Sequence, residues 1–130
     1  VFIRAVPNRF YIQNNQKYSF ARTKTERFAT AETATKTNEM MKLVLSKTGT
    51  APNFKAEAGL AENFEISGKT GSGMVADLWF FAVTRKLIIG VWVGLPNNEM
   101  SLEMKQNFSG GNVASPIAAK FLRYFAKRIK

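Results

Sequence analysis

Residues 64–94 read Phe64-Glu65-Ile66-Ser67-Gly68-Lys69-Thr70-Gly71-Ser72-Gly73-Met74-Val75-Ala76-Asp77-Leu78-Trp79-Phe80-Phe81-Ala82-Val83-Thr84-Arg85-Lys86-Leu87-Ile88-Ile89-Gly90-Val91-Trp92-Val93-Gly94, and they decide the fold class. Phe64, Ile66 and Gly68 alternate with Glu65, Ser67 and Lys69, the two-residue period of a strand, which runs into the tetrapeptide Lys69-Thr70-Gly71-Ser72. Residues 78–84 and 87–94 are almost wholly apolar, rich in aromatic and β-branched side chains, and divided by Arg85-Lys86. That pattern predicts an antiparallel hairpin buried on both faces, with Trp79, Phe80, Phe81 and Trp92 all in the core.

Upstream, residues 31–46 follow a helical period in which Ala34, Met41 and Leu45, flanked by Met40 and Val44, form one apolar stripe, and Gly49 is expected to cap the helix end. Residues 1–22 read as short strands, Phe2–Val6, Phe10–Ile12 and Tyr18–Ala21, with a turn at Asn14-Asn15. The six Thr between positions 23 and 37 are assigned to exposed loop and helix positions. Downstream, residues 95–111 are polar and turn-rich and end at Gly110-Gly111, after which Ser115 is expected to cap, and Pro116 to begin, a helix over 115–129. Ile117, Phe121, Phe125 and Ile129 would line its apolar side, opposite a solvated face of Lys120, Arg123, Lys127 and Lys130. The expected class is α+β, an antiparallel sheet covered by helices.

Composition narrows the chemistry. A chain of 130 residues, 45% hydrophobic with eleven Phe, is one domain or a piece of one and large enough to bury a core. No apolar run approaches the roughly 18–20 residues of a membrane span, and the N-terminus lacks the pattern of a signal peptide, so any export signal or anchor is expected outside these residues. With neither Cys nor His, the chain has no disulfide, no thiolate nucleophile, no imidazole base and no ordinary zinc site. Neither a metal nor a cofactor is expected. A hydroxyl nucleophile would need a lysine or carboxylate as its base. The net charge of +10, from 19 basic and 9 acidic residues, favours anionic partners.

The tripeptide Lys-Thr-Gly occurs twice. Lys47-Thr48-Gly49 falls at a predicted helix end and is read as structural, whereas Lys69-Thr70-Gly71 lies on a strand just ahead of the aromatic hairpin. The order strand with Lys69-Thr70-Gly71-Ser72, turn, Asp77-Leu78-Trp79-Phe80, apolar hairpin ending Gly90-Val91-Trp92-Val93-Gly94, glycine pair and Ser115-Pro116 helix start resembles the C-terminal part of a penicillin-binding protein transpeptidase domain. The bifunctional high-molecular-weight class is the most similar. Met40-Met41 through Gly49-Thr50-Ala51, and Gly110-Gly111 through Pro116-Ile117, extend the resemblance over most of residues 29–122.

The resemblance implies the C-terminal portion of the penicillin-binding and serine β-lactamase-like fold, on the extracytoplasmic face of the bacterial inner membrane. Its implied substrate is a peptidoglycan stem peptide ending in D-Ala-D-Ala, with β-lactams as mimics. Lys69 is then the catalytic-site lysine, placing charge near the substrate carboxylate, where one charge-assisted hydrogen bond is worth about 1.5–3 kcal/mol. Thr70 and Ser72 would donate hydroxyl hydrogen bonds to the same carboxylate, and Gly71 would let substrate lie against the strand. The Ser72 N–H would complete an oxyanion hole, one donor of which is worth about 3–4 kcal/mol. Ser72 stands where Thr is common in the family, and Gly73 departs from its pattern. Asp77 is read as structural and Trp79 as core.

None of the seven serines has Lys three positions later or Asn two positions later, so the acylated nucleophile and the second motif of the family are not within residues 1–130. The nucleophile is expected on an N-terminal part of the same domain, and this chain alone should neither acylate nor crosslink. A homodimer in isolation is expected from surfaces that part would otherwise cover. A different class of function is a stand-alone basic domain binding nucleic acid or an anionic envelope polymer. It is disfavoured, and no nucleic-acid partner is expected, because stacking platforms need exposed aromatics and Trp79, Phe80, Phe81 and Trp92 read as buried.

Overall fold

The computed structural model describes residues 10–13, 16–19, 27, 29–73, 77–94 and 106–126. Expectations for Phe2–Val6, the Asn14-Asn15 turn, the end of the strand Tyr18–Ala21 beyond 19, residues 95–105 and the helix end beyond 126 lie outside the described residues. The chain divides into two units, Val1–Thr37 and Asn38–Lys130.

In the first unit, β1 (Phe10–Gln13) pairs antiparallel with β2 (Gln16–Ser19), Tyr11 opposite Tyr18, in agreement with the expected hairpin. Helix α1 (Ala31–Lys42) begins here and continues into the second unit. Thr30 starts it by accepting the Thr33 N–H at 3.1 Å, an N-cap contact. Thr35 and Thr37 donate back to the carbonyls of Ala31 and Thr33, which satisfies their hydroxyls in mid-helix, and Lys36 pairs with Glu32 four residues before it.

The second unit opens with the end of α1, which tightens into a 3₁₀ turn over Leu43–Leu45. Gly49 lies beyond the helix rather than at its cap. It is glycine because a Cβ there would collide with the carbonyls of Leu43 and Val44. The short helix α2 (Phe54–Ala58) is absent from the sequence reading; Gly59, at φ 67°, closes it in the left-handed conformation that glycine adopts without strain.

Strands β3 (Ser67–Ser72), β4 (Leu78–Val83) and β5 (Ile88–Val93) form an antiparallel sheet in that order, with Thr70 opposite Phe80 and Phe80 opposite Val91. The strands match the predicted segments to within three residues at each end. Strand alternation puts Leu78, Phe80, Ala82 and Ile89 on one face, all buried. Helix α3 (Ser115–Ala126) packs on that face through Ala118, Ala119 and Leu122, while Phe54 of α2 reaches Phe80 at 4.9 Å between ring centroids. Leu45, Ala51 and Ile66 complete this core.

Two expectations fail here. Among the described residues the hairpin is packed on one face: Trp79 and Phe81 are each 40% exposed and Trp92 53%, on the face opposite Phe80. Helix α3 is rotated from its expected setting, so that Ile117, Phe121 and Tyr124 face outward and small residues face the sheet. Alanines let a helix approach a bulky aromatic strand closely, which the larger Ile117 and Phe121 side chains would prevent.

Candidate functional site

Lys69, Thr70, Gly71 and Ser72 form the last four residues of β3, and no strand pairs with the other side of β3 among the described residues. Alternation along the strand separates the four. Thr70 and Ser72 share the inner face, in register with Phe80 and Leu78. Lys69 and Gly71 point to the outer face, in register with Phe81 and Trp79.

Both inner hydroxyls are engaged. Thr70 Oγ1 lies 2.8 Å from Thr50 Oγ1, and Ser72 Oγ accepts the Gly110 N–H at 3.1 Å. Lys69 is exposed and its ammonium donates to the Thr70 carbonyl. The structure therefore brings Thr70 and Ser72 together and sets Lys69 on the opposite side of the strand. Gly71 has a structural task as well: the Trp79 side chain lies 3.1 Å from where its Cβ would be, so the absent side chain makes room for an outer-face tryptophan.

Thr50 and Gly110 are brought to β3 by close backbone packing. Residues Gly110–Ala114 form one wide π-helical turn leading into α3. Ser109 caps it: its hydroxyl accepts the Asn112 N–H at 3.2 Å, and Asn112 Oδ1 accepts the Ser109 N–H at 2.7 Å. The cap is thus six residues ahead of the expected Ser115, which is buried inside the helical run. A Cβ on Gly110 would strike the carbonyls of Trp79 and Gly71, and one on Gly111 the carbonyl of Thr50. The glycine pair lets three segments, Thr50, Gly71 and Trp79, meet one turn without side chains between them. A cavity of about 280 Å³ lies alongside, between Thr50, Phe54 and Glu57 on one side and Ser109, Asn112 and Ser115 on the other.

From sequence, Thr50 stands only within the Gly49-Thr50-Ala51 turn of the resemblance, and neither it nor Ser109 is a candidate site residue. Ser109-Gly110-Gly111-Asn112 carries a readable signal, a hydroxyl cap followed three residues later by a side chain able to bond back. The Thr50 to Thr70 contact spans 20 positions and has no local signature.

Asp77 has the structural role expected: its Oδ1 accepts the Trp92 indole N–H at 2.6 Å, tying the start of β4 to β5. Gly73 N–H donates to the Asp77 carbonyl at 2.7 Å and closes the connection between β3 and β4. On the outer face Trp79 stacks on Phe81 at 5.7 Å and 4°, and lies 6.2 Å from Trp92. Away from the tetrapeptide, Lys42 bonds Glu65 at 2.8 Å and Glu39 at 2.9 Å. These hydrogen bonds hold the Lys42 ammonium above its ordinary range and the Glu65 carboxyl below its own.

Among the described residues no cluster of acidic side chains could hold a metal ion, and no helix is long and apolar enough to cross a membrane. No protein-family model, no curated protein and no solved structure matches the chain.

Proposed function

We propose that this chain is the C-terminal part of a peptidoglycan D,D-transpeptidase domain of the penicillin-binding type and supplies the Lys69–Ser72 wall of its site. The observation that carries the proposal is the setting of the tetrapeptide. It ends a strand whose other side pairs with no strand among the described residues, and its two hydroxyls are engaged by Thr50 and Gly110. An acyl-D-Ala-D-Ala peptide laid along β3 in extended form has the Lys69 ammonium on one side and the Thr70 and Ser72 hydroxyls on the other. These groups bind and orient the terminal carboxylate, and the Ser72 N–H offers half of an oxyanion hole.

The nucleophilic serine and its lysine come from polypeptide outside residues 1–130, since none of the serines here has the required partner. The working enzyme then lies on the extracytoplasmic side of the bacterial inner membrane, where its stem-peptide substrate is found. The test is covalent labelling by a fluorescent penicillin. Residues 1–130 alone should remain unlabelled, and a polypeptide joining them to a segment with Ser-x-x-Lys and Ser-x-Asn should be labelled. Labelling of residues 1–130 alone would refute the assignment of the nucleophile, and an unlabelled complete polypeptide would refute the transpeptidase proposal.

One observation favours the other class. Trp79, Phe81 and Trp92 are exposed, on the same face as Lys69, in a chain of net charge +10. Exposed rings and cations together suit an anionic polymer that stacks, such as single-stranded nucleic acid. Binding would fall steeply with salt and with Trp92→Ala. No binding to single-stranded DNA or RNA at low salt removes this alternative.

A further inference from the structure

We propose that Thr50 and the backbone N–H of Gly110 are positioning groups, which set the Thr70 and Ser72 hydroxyls as donors to the substrate carboxylate; the inference rests on the transpeptidase proposal above. A hydroxyl has one proton to donate and two lone pairs to accept with. Ser72 Oγ accepts the Gly110 N–H at 3.1 Å, which occupies a lone pair and leaves the Ser72 proton for another partner. Ser72 is exposed and its hydroxyl has no acceptor among the described residues, so a bound group can take that proton. Thr70 Oγ1 and Thr50 Oγ1 are 2.8 Å apart, and when Thr50 donates, the Thr70 proton is released in the same way. A carboxylate, which only accepts, favours this arrangement on binding because it takes a proton from each of the two hydroxyls.

Both anchors are held by backbone rather than by flexible side chains. The Thr50 carbonyl lies where a Gly111 Cβ would be, and Gly110 lies directly against the carbonyls of Gly71 and Trp79. The Ser109 and Asn112 cap fixes the turn that carries both glycines. Donors fixed before substrate arrives lose less on binding than donors that must be ordered by it. Thr50 thus acts through Thr70 and is a positioning residue, not a catalytic one.

The test is acylation kinetics of the polypeptide that joins residues 1–130 to the nucleophile segment, comparing a penicillin with its methyl ester, in which the carboxylate is masked. Thr50→Val should lower acylation by the free acid about tenfold, the scale of one lost hydrogen bond. It should leave the ester within about twofold and the melting temperature nearly unchanged. Thr50→Ser should restore the wild-type rate. Thr50→Ala carries the same comparison if Thr50→Val does not fold. Equal losses for acid and ester, or no loss for the acid, would overturn the positioning role while leaving the transpeptidase proposal standing. A wild-type polypeptide that is not acylated at all overturns the transpeptidase proposal, and the positioning role with it.

Discussion

The two faces of the β3–β5 sheet are built from the same kinds of residue and end in opposite environments. On β4, Leu78, Phe80 and Ala82 are buried, while Trp79 and Phe81, one step along the same strand, are each 40% exposed. The inner face is covered because α2 and α3 offer small or flat partners there, Ala118, Ala119 and Phe54. No element among the described residues of the second unit covers Trp79, Phe81 or Trp92 in this way. Burial belongs to the pair of surfaces that meet, not to the strand that offers one of them.

The largest expected effect that would break this contrast comes from truncating each face in turn. Phe80→Ala, at a residue with no exposed surface and an aromatic partner in Phe54, should cost about 3–5 kcal/mol. Trp79→Ala should cost about 1 kcal/mol, because much of that ring stays in water when folded. Urea denaturation of the two variants measures both, and equal losses would mean that the outer face is covered in solution, as a homodimer would cover it. Light scattering of the wild-type chain would then show the dimer.

Glycines sharpen the same comparison. Gly110→Ala drives a Cβ into the carbonyls of Trp79 and Gly71, which belong to paired strands and cannot turn aside. The cost should be about 1–3 kcal/mol. Gly90→Ala meets only the Phe81 ring, at 2.8 Å, and that ring can swing into solvent, so its cost should be about 0.5 kcal/mol or less. At the start of β3, Ser67 is buried and donates to Asn38 Oδ1 at 2.6 Å. Ser67→Ala should fall between these, at about 1 kcal/mol, because it leaves the Asn38 oxygen without its donor.

The smallest effect is electrostatic. The Glu65 carboxyl titrates below its ordinary 4.5 because Lys42 bonds its charged form, so the contribution of Glu65 to stability is present above pH 4.5 and fades as pH falls through the depressed value. The Lys42 ammonium titrates above 10.5, so its contribution is full below pH 10.5 and is lost as pH rises through the raised value. Between the two ranges the ion pair should add only a slight, salt-sensitive increment to the melting temperature. A Glu65→Gln chain should show a flatter acid limb in melting temperature against pH.

The three strands of the sheet were legible because alternation and β-branched runs are local, and Arg85-Lys86 marks the hairpin tip plainly. The faces were not, since Trp79 and Phe80 are equally apolar and only the positions of α2 and α3 separate them. Helix α2 was missed because five residues are too few for a helical period to show, although Asn53 and Gly59 bracket it. The helix cap was assigned to Ser115 by its neighbour Pro116, whereas the side chain that caps is Ser109, paired with Asn112.

The tetrapeptide shows the same division. Its residues and its place on a strand follow from sequence alone, as does the absence within residues 1–130 of a Ser-x-x-Lys nucleophile, because these depend on which residues follow which. The strand period by itself sets Lys69 across from Thr70 and Ser72, and tertiary structure alone decides that Thr50 and Gly110 hold those two hydroxyls. It does so through contacts 20 and 38 positions apart, made possible by glycines whose missing side chains let distant backbones touch. Close approach of that kind depends on where separate segments come to lie, and no local pattern along the chain encodes it.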